Sequence, residues 1–339
     1  MAALIPLTTA QPAADWRAAL RDLVTSPEAL CALLELSPDA LGWSAAAMQQ
    51  FPLRVPRGFV ARMRVGDPRD PLLLQVLAGA QEMQQVAGFT ADPNGETGRA
   101  NPHPGIIHKY RGRVLLIVTG SCAIHCRYCF RRHFPYADNQ NGRNDWPAAL
   151  AYIAADDSIS EVILSGGDPL MASDQQLTEL VQQVAGIPHV QRLRVHTRLP
   201  VVIPERVTDG LLRALTPPRL QSTLVVHTNH AHEIDTGVAA AFRKVRGADI
   251  TLLNQTVLLA GINDSVDAQV ALSERLFTAG ALPYYLHLLD RVSGAAHFDV
   301  PAEQARNLHR EMAARLPGYL LPRLVREIAG APSKVAVDG

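Results

Sequence analysis

Three cysteines fall within eight residues, Cys122, Cys126 and Cys129, in the stretch GSCAIHCRYCFRRHFPY. Their spacing is C-x3-C-x2-C. Thiolates so spaced, with no fourth nearby, suit an iron–sulfur cluster held through three of its irons. The fourth iron is then open to a small chelate. In radical chemistry that chelate is S-adenosylmethionine, bound through its amino and carboxylate groups. An electron passed from the cluster to the sulfonium releases a 5′-deoxyadenosyl radical. Two other chemistries fit parts of the pattern. Cys126 and Cys129 alone make a C-x-x-C redox pair, which leaves Cys122 without a role. A zinc site needs a fourth ligand, for which His125 or His133 could serve, but the chain has no second cysteine pair. Cys31 lies far off in an apolar helical stretch and reads as a small core residue.

Other residues could assist such chemistry. In SGGDPL, Ser165 to Leu170, Gly166 and Gly167 let backbone approach a ligand closely, or form an ordinary turn. Arg131 and Arg132 follow the last cysteine, where a guanidinium could take a carboxylate in bidentate fashion or the two could form a solvated basic pair. Lys109, Arg111 and Arg113 alternate and so share one face, suited to a phosphate or simply to solvent. His227 to Glu233, HTNHAHE, reads as a hydrogen-bonded polar pocket before a metal site. Asp290 and Glu327 are acids that could receive an ammonium. Lys334 reads by composition as a tail lysine, and only burial would make it a Schiff-base former.

The elements that must position these groups change in texture along the chain. Helical spacing covers Asp15–Val24, Ser26–Leu36 and Ser44–Gln50, and a further helix is expected over Pro71–Ala87. The Pro/Gly-rich link ADPNGETGRANPHPG then marks a boundary. Beyond it, six short apolar runs are each followed by a helical segment: 113–119, 161–165, 192–196, 221–227, 249–255 and 282–288. Such β-then-α units predict a parallel sheet with right-handed crossovers. No G-x-G-x-x-G fingerprint appears, so a dinucleotide-binding fold is not favoured. A partial (β/α)6 TIM-like barrel fits, with its functional groups at the C-terminal strand ends. The expected division is an N-terminal helical region over 1–104, the barrel over 105–320 and a C-terminal segment over 321–339.

The bulk numbers agree with an enzyme of this kind. Of 339 residues, 47% are apolar, ample for a packed core. Basic and acidic residues balance at 32 each, which argues against a nucleic-acid or membrane-surface role. No run reaches the roughly 18 apolar residues of a membrane span. The N-terminal stretch lacks the basic and apolar regions of a signal peptide. Clustered cysteines point to a reducing compartment, so a cytoplasmic location is expected.

Together, CAIHCRYCFRRHF, ILSGGDPLM, RVHTRLPVVIPERV, LVVHTNHAHEI, LLNQTVLLAGIND and GAPSK resemble the lysine 2,3-aminomutase family of radical SAM enzymes. Among its members, the chain is most similar to the short form that serves elongation factor P (EpmB type). The resemblance implies a [4Fe–4S] cluster on Cys122, Cys126 and Cys129, and pyridoxal 5′-phosphate (PLP) carried by Lys334. It implies that Lys109 and Arg113 contact the PLP phosphate. Arg131 would take the lysine carboxylate, and Asp290 and Glu327 the ε-ammonium. Gly166, Gly167 and Gln255 would help position S-adenosylmethionine. Longer members carry aspartate where Glu327 stands and polyglycine where this chain has GAPS. The implied product is (R)-β-lysine from L-lysine, used with a lysyl ligase to modify elongation factor P. A flavodoxin or ferredoxin would supply electrons, and a homo-oligomer is left open. Other readings are a catabolic lysine or glutamate aminomutase, a radical SAM enzyme without PLP, and a non-catalytic metal module.

Overall fold

Short β-branched runs alternating with amphipathic helices build one large sheet. The computed structural model of the chain describes residues 15–37, 41–139 and 146–337. The N-terminal stretch read above for a leader falls largely within 1–14, outside the described residues. The sheet strands are β1 (Ile106–Tyr110), β2 (Arg113–Thr119), β3 (Glu161–Gly166), β4 (Arg192–Thr197), β5 (Gln221–His227), β6 (Thr251–Val257), β7 (Leu282–His287), β8 (Arg323–Arg326) and β9 (Val335–Ala336). They lie side by side in sequence order. β2 through β8 run parallel, and the edge strands β1 and β9 run antiparallel to their neighbours. β2 to β7 coincide with the six expected runs. The sheet keeps two edges, so the barrel is partial and open.

Local signals set the crossover helices. Ser173 and Gln176 form a capping box that starts Asp174–Ala185, with Ser173 Oγ accepting from Gln176 N at 3.2 Å. Ser265 caps Val266–Ala279, and Gly280, at φ 101°, ends it in the left-handed conformation glycine tolerates. Each helix lays an apolar stripe on the sheet, for example Leu177, Leu180, Val181 and Val184.

The N-terminal helices form as their caps dictate. Ser26 caps Pro27–Leu34, with Pro27 at the first helical position. Trp16, Leu30, Leu34 and Phe59 pack in the same apolar cluster as Leu164, Leu193 and Leu224 of the barrel. Cys31 is buried there, as expected of a core cysteine.

The helix expected over Pro71–Ala87 does not form. The segment is a run of turns followed by a short 3-10 turn at Ala80–Met83. Leu72, Leu73, Val76, Leu77 and Ala78 are all buried, so the first half of the segment has no solvent face to make it amphipathic, while Met83 and Val86 in its second half are exposed. The Asp70 carboxylate also accepts from Leu72 N and Leu73 N, at 2.8 and 3.0 Å, and closes a local turn. Strands β1, β8 and β9 and the helix Ala302–Arg315 are additions to the expected elements. No helix among the described residues is long and apolar enough to cross a membrane.

A buried ion triad joins this segment to the barrel. Glu82 holds Arg127 at 2.6 and 2.8 Å and Arg132 at 2.7 Å. Arg132 thus takes a carboxylate of the chain itself and is no solvated basic residue.

Candidate active site

β2 ends at Thr119 and the chain turns into the cysteine loop. Backbone bonds give the loop its shape: Cys129 N to Cys126 O at 3.0 Å and Arg132 N to Cys129 O at 3.2 Å. Cys122, Cys126 and Cys129 all line one cavity of about 400 Å³ at the C-terminal ends of the strands. Burial pushes the Cys129 thiol up to about 11, with Cys126 adding to the effect. Burial also raises the Cys122 thiol well above its ordinary range, helped by Asp168 and Cys129. Thiols packed this closely ionise when a cationic centre compensates them. His125 Nδ1 bonds Pro52 O at 2.8 Å, and its ring stacks on Phe51. His133 Nε2 bonds Ser293 O at 3.1 Å. Each of these bonds uses one ring nitrogen and leaves the other free. Among the described residues no three His, Cys, Asp or Glu side chains close on a single ion. A multi-iron cluster spreads its thiolates wider than one zinc does.

Gly166 and Gly167 serve the loop itself. A Cβ on Gly166, at φ 126°, would lie 2.4 Å from Thr119 O, and one on Gly167 would lie 2.4 Å from Ser121 O. Gly167 N donates to Thr119 O at 2.7 Å and Asp168 N to Ser121 O at 2.8 Å. The missing side chains let the end of β3 lie directly on the cysteine loop. We predict that Gly167→Ala pushes this loop away, costing about 1–3 kcal/mol of stability. Thermal unfolding and bound iron after gel filtration would both fall; unchanged iron retention would contradict the packing argument.

Opposite the cysteines, charges alternate in a row. Arg131 Nε and Nη2 donate to the two oxygens of Glu96, at 2.6 and 3.0 Å. Glu96 Oε1 lies 3.4 Å from Lys109 Nζ, and Lys109 lies 2.7 Å from Glu327 Oε1. Glu327 Oε2 accepts from Lys334 Nζ at 2.8 Å, and the Tyr110 hydroxyl donates to Oε1. The order is Arg131, Glu96, Lys109, Glu327, Lys334, with charges alternating throughout. Burial works against charge on Glu96, but Arg131 and then Lys109 outweigh it. Burial opposes charge on Glu327 too, yet Lys334 and Lys109 hold its carboxyl well below the usual carboxylate range. Asp290 differs: burial raises it to about 6, with Lys334 opposing and Glu327 reinforcing the rise.

The row refines several expectations. Arg131 does grip a carboxylate with its side-on fork, but the carboxylate is the chain's own Glu96. Its Nη1 donates to Ser165 Oγ at 3.0 Å and reaches Gly166 O at 3.4 Å. What remains for a ligand is the outer N–H of Nη2. Lys109 is held between two carboxylates, whereas Arg113 lies over the Tyr110 ring, 4.5 Å from its centroid. Lys334 lies at this cavity, paired with Glu327, and is no solvated tail residue. Gln255 Nε2 lies 2.8 Å from His227 Nε2.

Sequence reasoning missed Glu96, the hub of the row. It sits in the Pro/Gly-rich link, where composition signals only a boundary. The same reasoning read His227 only as part of a polar pocket and assigned no site role to His196 or His287. Burial holds His196 and His287 well below the ordinary histidine range and His227 down to about 3, so all three are neutral. His196 Nε2, His287 Nε2 and Arg194 Nε are buried without a partner. These unpartnered polar atoms lie on the same cavity as Lys109, Arg113 and Lys334, a lining that fits an anionic group such as a pyridoxal phosphate. The histidine-rich loop is knit by hydrogen bonds: Glu233 accepts from Asn229 N, His230 N, Gln75 and Arg198.

Comparison with known proteins agrees with this geometry. A family model described as a 4Fe-4S single cluster domain matches residues 111–192. The chain is 49% identical over 325 residues to the L-lysine 2,3-aminomutase of Escherichia coli K12, covering 96% of this chain and 94% of that one. It is 48% identical over 320 residues to the L-lysine 2,3-aminomutase of Haemophilus influenzae, covering 94% of each. To that of Clostridium subterminale it is 31% identical over 324 residues, covering 95% of this chain and 77% of that one.

Proposed function

The chain belongs to the L-lysine 2,3-aminomutase family of isomerases, and from that premise we propose that it moves the α-amino group of L-lysine to the β-carbon, giving (R)-β-lysine. One observation carries the reading. A single cavity holds the three-cysteine loop, Lys334, the Arg131 guanidinium and the acids Asp290 and Glu327. A guanidinium and two acids on one cavity suit a substrate with a carboxylate at one end and an ammonium at the other.

The residues divide the work. Cys122, Cys126 and Cys129 would hold a [4Fe–4S] cluster, and Lys334 would carry pyridoxal phosphate with Arg113 and Lys109 toward its phosphate. When bound, the cluster with S-adenosylmethionine supplies a hydrogen-abstracting radical, and pyridoxal phosphate supplies a π-system that carries spin while nitrogen migrates. Gly166, Gly167 and Gln255 would shape the S-adenosylmethionine pocket. Arg131, fixed by Glu96, would meet the substrate carboxylate with its outer N–H. Asp290 and Glu327 would receive the ε-ammonium. Binding at both ends fixes which carbon faces the radical source, and small positional errors are costly. Leu115, Ile163, Val257 and Leu289 line the same cavity and help exclude water. Two acids at the far end would repel a second carboxylate, which disfavours glutamate.

The charge on Asp290 gives a pH test. As pH falls through about 6, Asp290 takes up a proton and loses its attraction for an ammonium. kcat/KM for L-lysine should therefore drop on the acid side with a midpoint near this value. Asp290→Asn should show lower activity and no such limb. An unchanged acid limb in the variant would remove Asp290 from the ammonium site.

The decisive assay is anaerobic. The chain is reconstituted with iron and sulfide, then given pyridoxal phosphate, S-adenosylmethionine, dithionite and L-lysine. β-Lysine detected by mass spectrometry supports the reading, and 5′-deoxyadenosine without β-lysine refutes the substrate. We extend the proposal to modification of elongation factor P, on the motif likeness alone. Transfer of the labelled product onto elongation factor P by a lysyl ligase would test that extension.

A further inference from the structure

Arg198 follows β4 and is buried, as is Glu233. The guanidinium is clamped from one side. Nη2 donates to Glu233 Oε2 at 2.9 Å and to Gln75 Oε1 at 2.7 Å. The Arg198 backbone N–H donates to Asp168 Oδ2 at 2.8 Å. Glu233 is itself fixed by Asn229 N at 2.9 Å and His230 N at 3.1 Å. On the other side, Nη1 lies 2.7 Å from Cys126 Sγ and 2.8 Å from the Tyr128 hydroxyl. Three separate chain segments therefore hold one cation against one of the three thiolates.

We infer that Arg198, with Glu233 as its counter-ion, sets the reduction potential of the cluster held by Cys122, Cys126 and Cys129. The inference rests on the cluster reading above and is independent of substrate and pyridoxal phosphate. Reduction adds one electron, [4Fe–4S]2+ to [4Fe–4S]1+, with no bond made or broken. The added negative charge is stabilised by an N–H bond to sulfur and by a nearby cation, and both raise the potential. Glu233 lies on the far side of the same guanidinium, where its negative charge offsets part of that rise. The two residues therefore push the potential in opposite directions. A merely structural ion pair would not do so.

The test is a redox titration of the reconstituted full-length chain without S-adenosylmethionine, poised with dithionite and mediators and read by electron paramagnetic resonance of the reduced cluster. Arg198→Gln should shift the midpoint to lower potential, and Glu233→Gln to higher potential. Arg198→Lys, which keeps the charge, should fall between Arg198→Gln and wild type. Unchanged midpoints, or shifts of both Gln variants in one direction, overturn the inference. If Arg198→Gln does not retain cluster, the other two variants decide, and a Glu233→Gln midpoint at or below wild type overturns it. A wild-type chain that takes up iron and sulfide but shows no cluster signal overturns the cluster reading itself.

Discussion

β-Lysine formation will fall on the order of 10⁴-fold or more in Lys334→Ala, as for loss of a residue bonded to the reacting system. Pyridoxal absorbance will also no longer travel with the protein through gel filtration. The reason lies in where the structure puts this lysine. Its ammonium is 2.8 Å from Glu327 and 5.8 Å from the centroid of Tyr285, at the cavity that also contains the cysteines. The variant should still fold. Glu327 keeps Lys109 at 2.7 Å, so removing Lys334 leaves no buried carboxylate without a cation. Lys334→Arg separates charge from chemistry. It can preserve the ion pair but has no amine for the cofactor carbonyl, so it should be as inactive as alanine. Pyridoxal retention and turnover in either variant would return Lys334 to the role of a surface lysine.

Loss of one thiolate should be equally severe. Cys129→Ala leaves two ligands for a cluster that needs three, so reconstituted protein should lack the iron–sulfur absorption band. It should form neither 5′-deoxyadenosine nor β-lysine, again on the order of 10⁴-fold or more below wild type. The same experiment distinguishes the rival metal readings. Zinc without sulfide in the wild-type chain would favour a structural metal module. An intact cluster and full turnover in the variant would remove Cys129 from the ligand set.

How far the sequence could be read follows from the range of the interactions involved. The three-cysteine loop was legible because its ligands lie within one turn of chain. The strands β2 to β7 were legible because apolar runs, caps and breakers are local signals; Ser173, Ser265 and Gly280 act on neighbours only a few residues away. The segment Pro71–Ala87 was misread because burial of Leu72, Leu73 and Val76 to Ala78 erases the periodicity that separates helix from turn in its first half. Helix Ala302–Arg315 had a readable pattern, with Ala305, Leu308 and Met312 on its buried face, and was passed over.

The charge row belongs to the tertiary structure alone. Glu96 meets Arg131 across 35 residues, and Tyr110 meets Glu327 across 217. No local spacing encodes such distances. Nor could spacing show that Gly166 and Gly167 face the cysteine loop, or that Arg198 reaches Cys126 from the end of another strand. By itself, then, the sequence determined the order of β/α units and which residue types could do chemistry. Folding decided which of those residues share one cavity, because only parallel strands lying side by side bring their C-terminal ends together. There, Lys334 and Lys109 hold Glu327 ionised against its burial, while burial raises Asp290 to about 6.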